Sequence, residues 1–138
     1  MFVKKLMVVL LVIFALSGCG AAPCSEQSEG FIADVEAVLQ HWIDADQVAG
    51  STSRIALDGP IQELQAVRRD ALAIEAPECA ADVKSALIEY MDDRIDIYLM
   101  FMSNDESVDF AEEFKYNETR MATFAERFRQ LKNGGYDN

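Results

Sequence analysis

Apolar side chains recur every three or four residues in four successive stretches of this chain, and this spacing constrains the fold more than any other feature. The spacing places side chains on one face of an α-helix, whereas a half-buried β-strand needs alternation at every second residue. The first stretch shows the pattern through Phe31, Val35, Val38, Trp42 and Ala45. Strand-like alternation and internal repeats are absent from the sequence. We therefore predict an all-α domain.

Residues that start and stop helices separate the first two stretches. Ser25 or Ser28 can cap the first helix, and a run of glycine, serine and threonine ends it. The second helix is expected to begin with Asp58 as its cap and Pro60 in its first turn. A start near Ser53 is the alternative, and Pro60 would then kink the helix.

Similar residues bound the last two helices. Ala76-Pro77 ends the second helix, because the residue before a proline is pushed out of helical geometry. The third helix is expected from about Glu78 to Met102, and residues 103–105 supply the next turn and the cap of the fourth helix. Gly134-Gly135 ends the fourth. Four amphipathic helices with short connections predict an antiparallel up-down-up-down four-helix bundle, whose second helix is either regular or kinked and broken.

Two polar residues interrupt the apolar faces. Arg94 lies in the apolar part of the third helix, where a partly buried ion pair is the expected role. Asn117 lies in the aromatic face of the fourth helix, where a buried polar group fixes the register of packing. Both are interpreted as structural residues.

The first eighteen residues differ from these helical stretches. Lys4 and Lys5 precede an uncharged apolar run over residues 6–16. That run is about half of the ~20 residues that a membrane-spanning helix needs. A basic start followed by a run of this length is typical of a secretory signal. Ser17-Gly18-Cys19 follows directly.

This order of basic start, apolar run, small residues and cysteine resembles the leader of bacterial lipoproteins. The resemblance implies cleavage before Cys19 and attachment of two or three acyl chains to that cysteine, enough for stable anchoring. The domain would then be anchored in the cell membrane or the outer membrane and face the periplasm or the cell exterior. Two alternatives are a secreted protein cleaved near Ala21-Ala22 and an uncleaved signal anchor.

Cleavage before Cys19 divides the 138 residues into a signal peptide (1–18), a lipidated cysteine and tether (19–27), a helical domain (28–133) and a tail (134–138). The mature chain is long enough for one domain with a single core. Loss of Lys4 and Lys5 with the leader takes the formal net charge from −12 to −14. Because nucleic acid repels so acidic a domain, we expect no nucleic-acid partner.

The three cysteines divide into one anchor and one pair. With Cys19 lipidated, Cys24 and Cys79 are left in an oxidising compartment, and we predict a disulfide between them. Two unrelated thiols are the alternative. An up-down-up-down order places the starts of the first and third helices at the same end of the bundle, in agreement with such a link.

The third helix carries the strongest indication of function. Only Asp96 is charged between residues 95 and 102, so apolar side chains point almost all round the axis. A helix of this kind contacts two neighbours or a second molecule. Its candidate interaction face comprises Ile95, Tyr98, Leu99 and Met102. We therefore expect a non-catalytic, membrane-tethered module that binds a partner protein or forms a homodimer.

A carrier for a small ligand or a cation is the alternative function. The acidic stripe on the third helix could hold a hard cation, although a solvated acidic face explains it as well. That stripe consists of Glu89, Asp92, Asp93 and Asp96. A group of aromatic residues either lines a small apolar pocket or fills the core. It consists of Tyr90, Tyr98, Phe101, Phe110 and Phe114.

An enzyme is not expected. His41 is the only histidine, and neither a nucleophile elbow nor a phosphate-binding glycine loop accompanies it. We predict no cofactor and no metal site.

Overall fold

The computed structural model describes residues 22–104 and 106–135, and every regular element in these ranges is helical. Four long helices form the domain: α1 (Glu29–Ser51), α2 (Asp58–Ala73), α3 (Ala81–Ser103) and α4 (Phe110–Lys132). One α-helical turn, Cys24–Gln27, precedes α1, and the 3₁₀ turns Arg54–Ala56 and Glu78–Ala80 precede α2 and α3. The predicted all-α fold is confirmed.

Some predicted features lie outside the described residues. They are the signal peptide (1–18), Cys19 and residues 136–138 of the tail. The segment predicted as a tether contains the Cys24–Gln27 turn, in which the Pro23 carbonyl accepts hydrogen bonds from the amides of Glu26 (3.1 Å) and Gln27 (3.2 Å). Helical structure therefore begins ahead of the predicted domain start at residue 28.

The second helix begins within one residue of where the sequence predicts. Asp58 is its first residue rather than its cap, and Leu57 occupies the cap position, so the predicted cap is wrong by one residue. The alternative of a helix that starts near Ser53 and is kinked at Pro60 is also wrong. The residues after Ser53 form the separate turn Arg54–Ala56. Pro60 therefore lies in the first turn of α2, where its missing N–H removes no helical hydrogen bond.

The second helix ends earlier than predicted, at Ala73 rather than Ala76. Ile74 takes an extended conformation, and Lys84 Nζ donates to the carbonyl oxygens of Leu72 (2.8 Å) and Ile74 (2.6 Å). The lysine thus satisfies carbonyls that a helix end leaves without partners. A contact from a distant residue shortens α2, and local sequence does not reveal it.

The cap of α4 also differs from the prediction. Asp109, not Asp105, accepts hydrogen bonds from the amides of Ala111 (3.0 Å) and Glu112 (3.3 Å). Both aspartates suit a cap, but only Asp109 directly precedes the helix. Asp105 itself lies outside the described residues.

The core is centred on contacts of Tyr90 from α3. Trp42 Nε1 donates to the Tyr90 hydroxyl at 3.1 Å, and the two rings meet edge to face. Asn117 Nδ2 of α4 donates to the Tyr90 carbonyl at 3.0 Å, and the predicted burial of Asn117 is confirmed. A shift of α4 along α3 would leave this buried amide without a hydrogen-bond partner, which is costly. The bond therefore favours one register of α4 on α3.

Cys24 and Cys79 form a disulfide, with their Cα atoms 6.0 Å apart. It joins the turn before α1 to the 3₁₀ turn before α3, as the cysteine count predicts. The chain that leads to α1 is therefore fixed to the start of α3.

Replacement of Cys79 by serine should lower the free energy of unfolding by about 4 kcal/mol, because a link across 55 residues no longer restricts the unfolded chain. Urea unfolding of the non-reduced mature protein measures this loss. Reductant should destabilise the wild-type protein by a similar amount and leave Cys79→Ser unchanged. A loss below ~1 kcal/mol would contradict a stabilising role for the link.

Candidate functional site

The candidate interaction face on α3 is largely internal. Ile95 and Tyr98 are each 5% exposed, and Leu99 is partly buried against the core. Met102 is 36% exposed and its neighbour Phe101 42%. The helix is apolar all round because it packs against both α2 and α4. Only its C-terminal end, at Phe101 and Met102, offers apolar surface to a second molecule.

The acidic stripe on α3 is engaged by arginines from two neighbouring helices. Asp92 forms an ion pair with Arg68 of α2, and Glu89 and Asp93 form ion pairs with Arg120 of α4. Within residues 22–104 and 106–135, no group of three or more histidine, cysteine or acidic side chains could hold a metal ion. In the described residues the stripe therefore joins helices and forms no cation cluster.

Part of the predicted aromatic group does line a cavity. A cleft of about 420 Å³, called the aromatic cleft here, lies between the C-terminal half of α1, α3 and the start of α4. Its lining consists of Asp46, Ala49, Gly50, Thr52, Arg94, Tyr98, Phe101 and Phe114. Tyr90 lies in the core instead, and Phe110 packs edge to face on Phe101 at 5.7 Å.

A charged network lies beneath the aromatic cleft. Arg94 donates from Nε and Nη2 to the two carboxylate oxygens of Asp46, both at 2.9 Å. The Tyr98 hydroxyl donates to Asp46 Oδ1 at 2.8 Å. Both charged side chains are 19% exposed. The structure thus confirms the prediction that Arg94 belongs to a partly buried ion pair.

Aromatic rings cover the guanidinium. The Arg94 Cζ atom lies 4.9 Å from the centroid of the Phe114 ring and 5.7 Å from that of Tyr98. Cations are attracted to the faces of such rings, more strongly where water is excluded. These ring contacts add to the hydrogen bonds from Asp46 in positioning Arg94.

Burial and pairing shift the pKa values of this network. Burial, reinforced by the hydrogen bond to Asp46, raises the pKa of Tyr98 well above its ordinary 10.0. Burial lowers the pKa of Arg94, but the hydrogen bond and negative charge of Asp46 outweigh it, so the net shift is upward. Tyr98 is therefore a neutral hydrogen-bond donor, and Arg94 stays charged, over the whole physiological range.

Sequence reasoning missed four residues of the cleft, namely Asp46, Ala49, Gly50 and Thr52. Asp46 follows the apolar residue Ala45 on α1, and its role depends on Arg94, 48 positions away. Gly50 leaves room for the Tyr98 side chain, because a Cβ atom there would lie 3.3 Å from the Tyr98 hydroxyl, closer than an ordinary van der Waals contact. The spacing of Trp42 and Asp46 by one helical turn is the one local sign that Asp46 faces α3.

Two further clefts lack a buried ion pair. One, of about 420 Å³, lies between α1 and α2 and contains the exposed His41. The other, of about 490 Å³, lies between α1 and α4, where the exposed Ile43 approaches Phe124 and Phe128. The aromatic cleft is thus the best-formed candidate site among these three.

Comparisons with protein-family models, with curated proteins and with solved structures find no match to this chain. Among the described residues, no helix is both long and apolar enough to cross a membrane.

The stability of the domain should fall as the pH rises above about 10. Below 10.0, the phenol of Tyr98 is protonated in both the folded and the unfolded chain. Above that value the phenol of Tyr98 loses its proton in the unfolded chain but keeps it in the folded chain. The free energy of unfolding then falls by up to ~1.4 kcal/mol per pH unit. The free energy of unfolding stops falling with pH only above the raised pKa of Tyr98 in the folded state.

Urea unfolding between about pH 9 and 11 measures this slope. Tyr98→Phe should make the slope shallower, whereas Tyr116→Phe serves as the exposed control. Equal slopes for wild type and Tyr98→Phe would contradict the raised pKa.

Proposed function

We propose that this chain is a bacterial lipoprotein, anchored through Cys19 and folded outside the cytoplasm as a non-catalytic, protein-binding helical module. The leader and the Ser17-Gly18-Cys19 box support the anchor. The disulfide at Cys24 supports an oxidising compartment. Cys24 also lies five residues after Cys19, so the link would hold the bundle close to its lipid.

We further propose the up-down-up-down topology. Trp42 and Asp46 on α1 pair in the same order with Tyr90 and Arg94 on α3, which supports parallel α1 and α3. The order is reversed between α3 and α4. Arg120 pairs with Asp93, whereas Arg127, which comes later in α4, has its Nη1 3.8 Å from Oδ2 of Asp82, which comes earlier in α3. This reversal supports antiparallel α3 and α4. In this topology the anchored end holds the starts of α1 and α3, and the opposite end holds their C-termini.

The exposure of Ile55 carries the interaction proposal. Its side chain is 93% exposed on the Arg54–Ala56 turn, which contacts both α2 and α3. Phe101 and Met102 are exposed at the C-terminal end of α3. Burial by a partner is favourable by about 1.5–3 kcal/mol for the almost fully exposed Ile55, and by less for Phe101 and Met102, which are already more than half buried. We call Ile55, Phe101 and Met102 the apolar tip.

The apolar tip belongs to the end opposite the disulfide in this topology. A partner would therefore meet it from the aqueous side, without obstruction by the membrane to which Cys19 is attached.

Carriage of a small ligand is the second candidate function. The aromatic cleft favours it, because the cleft combines apolar walls with the fixed charged network of Asp46 and Arg94. Ligand sites commonly have such an apolar lining with few polar groups.

Photo-crosslinking in the bacterial envelope tests the interaction proposal. A photoreactive residue at position 55 or 102 should give a discrete adduct, and the same residue at Ala37 on the exposed face of α1 should not. An adduct of twice the mass would identify a homodimer. The intact mass should also show a chain that begins at Cys19 and carries acyl groups.

Absence of adducts at both tip positions, or equal adducts at Ala37, would contradict binding through the apolar tip. A chain without acyl groups would contradict the anchor and leave the crosslinking result to stand by itself.

A further inference from the structure

The aromatic cleft has the dimensions of a small-molecule site. Its volume of about 420 Å³ lies within the ~300–1,000 Å³ that such sites span. The rings of Phe101 and Phe114 supply apolar walls from α3 and α4. A flat apolar group of one or two rings therefore suits the shape and the lining.

Arg94 has hydrogen-bond donors to spare in this cleft. A guanidinium carries five N–H groups, and Asp46 accepts from Nε and Nη2 only. No other described residue accepts a hydrogen bond from Arg94, and its side chain retains 19% exposure. Asp46 therefore leaves both N–H groups of Nη1 unused, on a side chain that lines the cleft.

The charge of the network selects the kind of acceptor. Asp46 neutralises Arg94, so a ligand meets no net positive charge there. Arg94 itself lies over the Phe114 ring, where a ligand cation would otherwise bind. An anion would have to approach a domain whose mature net charge is −14, after loss of Lys4 and Lys5 from a chain of −12. An uncharged acceptor does not compete with Arg94 for the Phe114 ring and is not repelled by the net negative charge.

We propose that the aromatic cleft binds a small uncharged molecule with a flat apolar body and a carbonyl-type oxygen, which accepts a hydrogen bond from Arg94 Nη1. Phe101 and Phe114 contact the apolar body, and Asp46 with Tyr98 holds the guanidinium in place. This inference rests on the carrier form of the proposed function. Phe101 belongs to both the aromatic cleft and the apolar tip, whereas Ile55 and Met102, the two crosslinking positions, do not line the cleft.

Three probes with the same ring system test the ligand class. They are 2-naphthamide, 2-naphthoate and naphthalene, which present a neutral acceptor, an anion and no acceptor. Each is titrated into ¹⁵N-labelled mature protein, residues 19–138, with Cys19→Ser to prevent lipidation and with the disulfide intact. The amide resonances of Gly50 and Thr52 report binding in the cleft. We expect 2-naphthamide to bind at least about tenfold more tightly than the other two, a fair value for one buried hydrogen bond.

Variants separate the two parts of the site. Arg94→Lys keeps a positive charge beside Asp46 but removes the guanidinium fork, and it should abolish the preference for 2-naphthamide over naphthalene. Phe101→Ala should weaken all three probes at least about fivefold through loss of apolar contact. Tyr116→Ala is the matched control, because Tyr116 is an exposed aromatic residue of α4 outside the cleft and should change none of them.

Equal or tighter binding of 2-naphthoate would overturn the neutral class, and equal binding of naphthalene would overturn the role of Arg94. Absence of shifts at Gly50 and Thr52 with every probe would overturn the cleft as a ligand site. None of these results affects crosslinking at residues 55 and 102, so the two proposals fail separately. If Arg94→Lys does not fold, Phe101→Ala still tests the location.

Discussion

The ion pair between Asp46 and Arg94 is the contact on which the aromatic cleft between α1 and α3 depends. It joins α1 to α3 through two parallel hydrogen bonds, in a setting where both side chains are mostly removed from water. Removal of either partner would leave a charge in a partly apolar environment, which costs more than the pair itself contributes. Tyr98 and the Phe114 ring then fit around the pair. The packing of α3 on α2 and α4 places the helix, and the ion pair shapes the aromatic cleft between α3 and α1.

The links between α1 and α3 are distributed along the domain. The disulfide lies at the start of both helices, the Trp42–Tyr90 hydrogen bond lies in the middle, and the ion pair with Tyr98 lies towards the C-termini. Helices α2 and α4 pack on α3 and are fixed by Arg68 and Arg120. Under the proposed topology, one end of the bundle is committed to the anchor and the other is free to bind.

The sequence predicts the helices well because their apolar faces are local patterns. Phe31 through Ala45 on α1, and the start of α2 near Asp58, lie where spacing and capping residues indicate. The end of α2 depends on Lys84, ten or more residues away, and the cap of α4 depends on which of two loop aspartates is adjacent to the helix. Such choices are made by tertiary contacts that a single sequence does not display.

The candidate site shows the same difference between features that follow from local sequence and features that depend on tertiary contacts. Arg94 and Asn117 stand out in the sequence because each is polar within an apolar face, and the structure gives both the structural roles that this position predicts. The sequence predicts an interaction face from Ile95 to Met102, but most of these side chains are buried within the domain. A helix that is apolar on all sides indicates several neighbours, and the pattern does not show whether they belong to the same chain. Asp46 and Gly50 can be recognised as residues of the site only from their contacts with side chains of α3.

A double-mutant cycle tests the central contact most directly. The free energy of unfolding is measured for wild type, Asp46→Asn, Arg94→Met and the double variant; Asn keeps an acceptor for Tyr98, and Met keeps much of the apolar length. The exposed pair Arg129–Glu126 on α4 provides the control cycle, with an expected coupling of about 0.3–0.5 kcal/mol. A coupling of about 2 kcal/mol between Asp46 and Arg94 is predicted for a pair that holds α1 on α3. A coupling no larger than that of the control pair would contradict it.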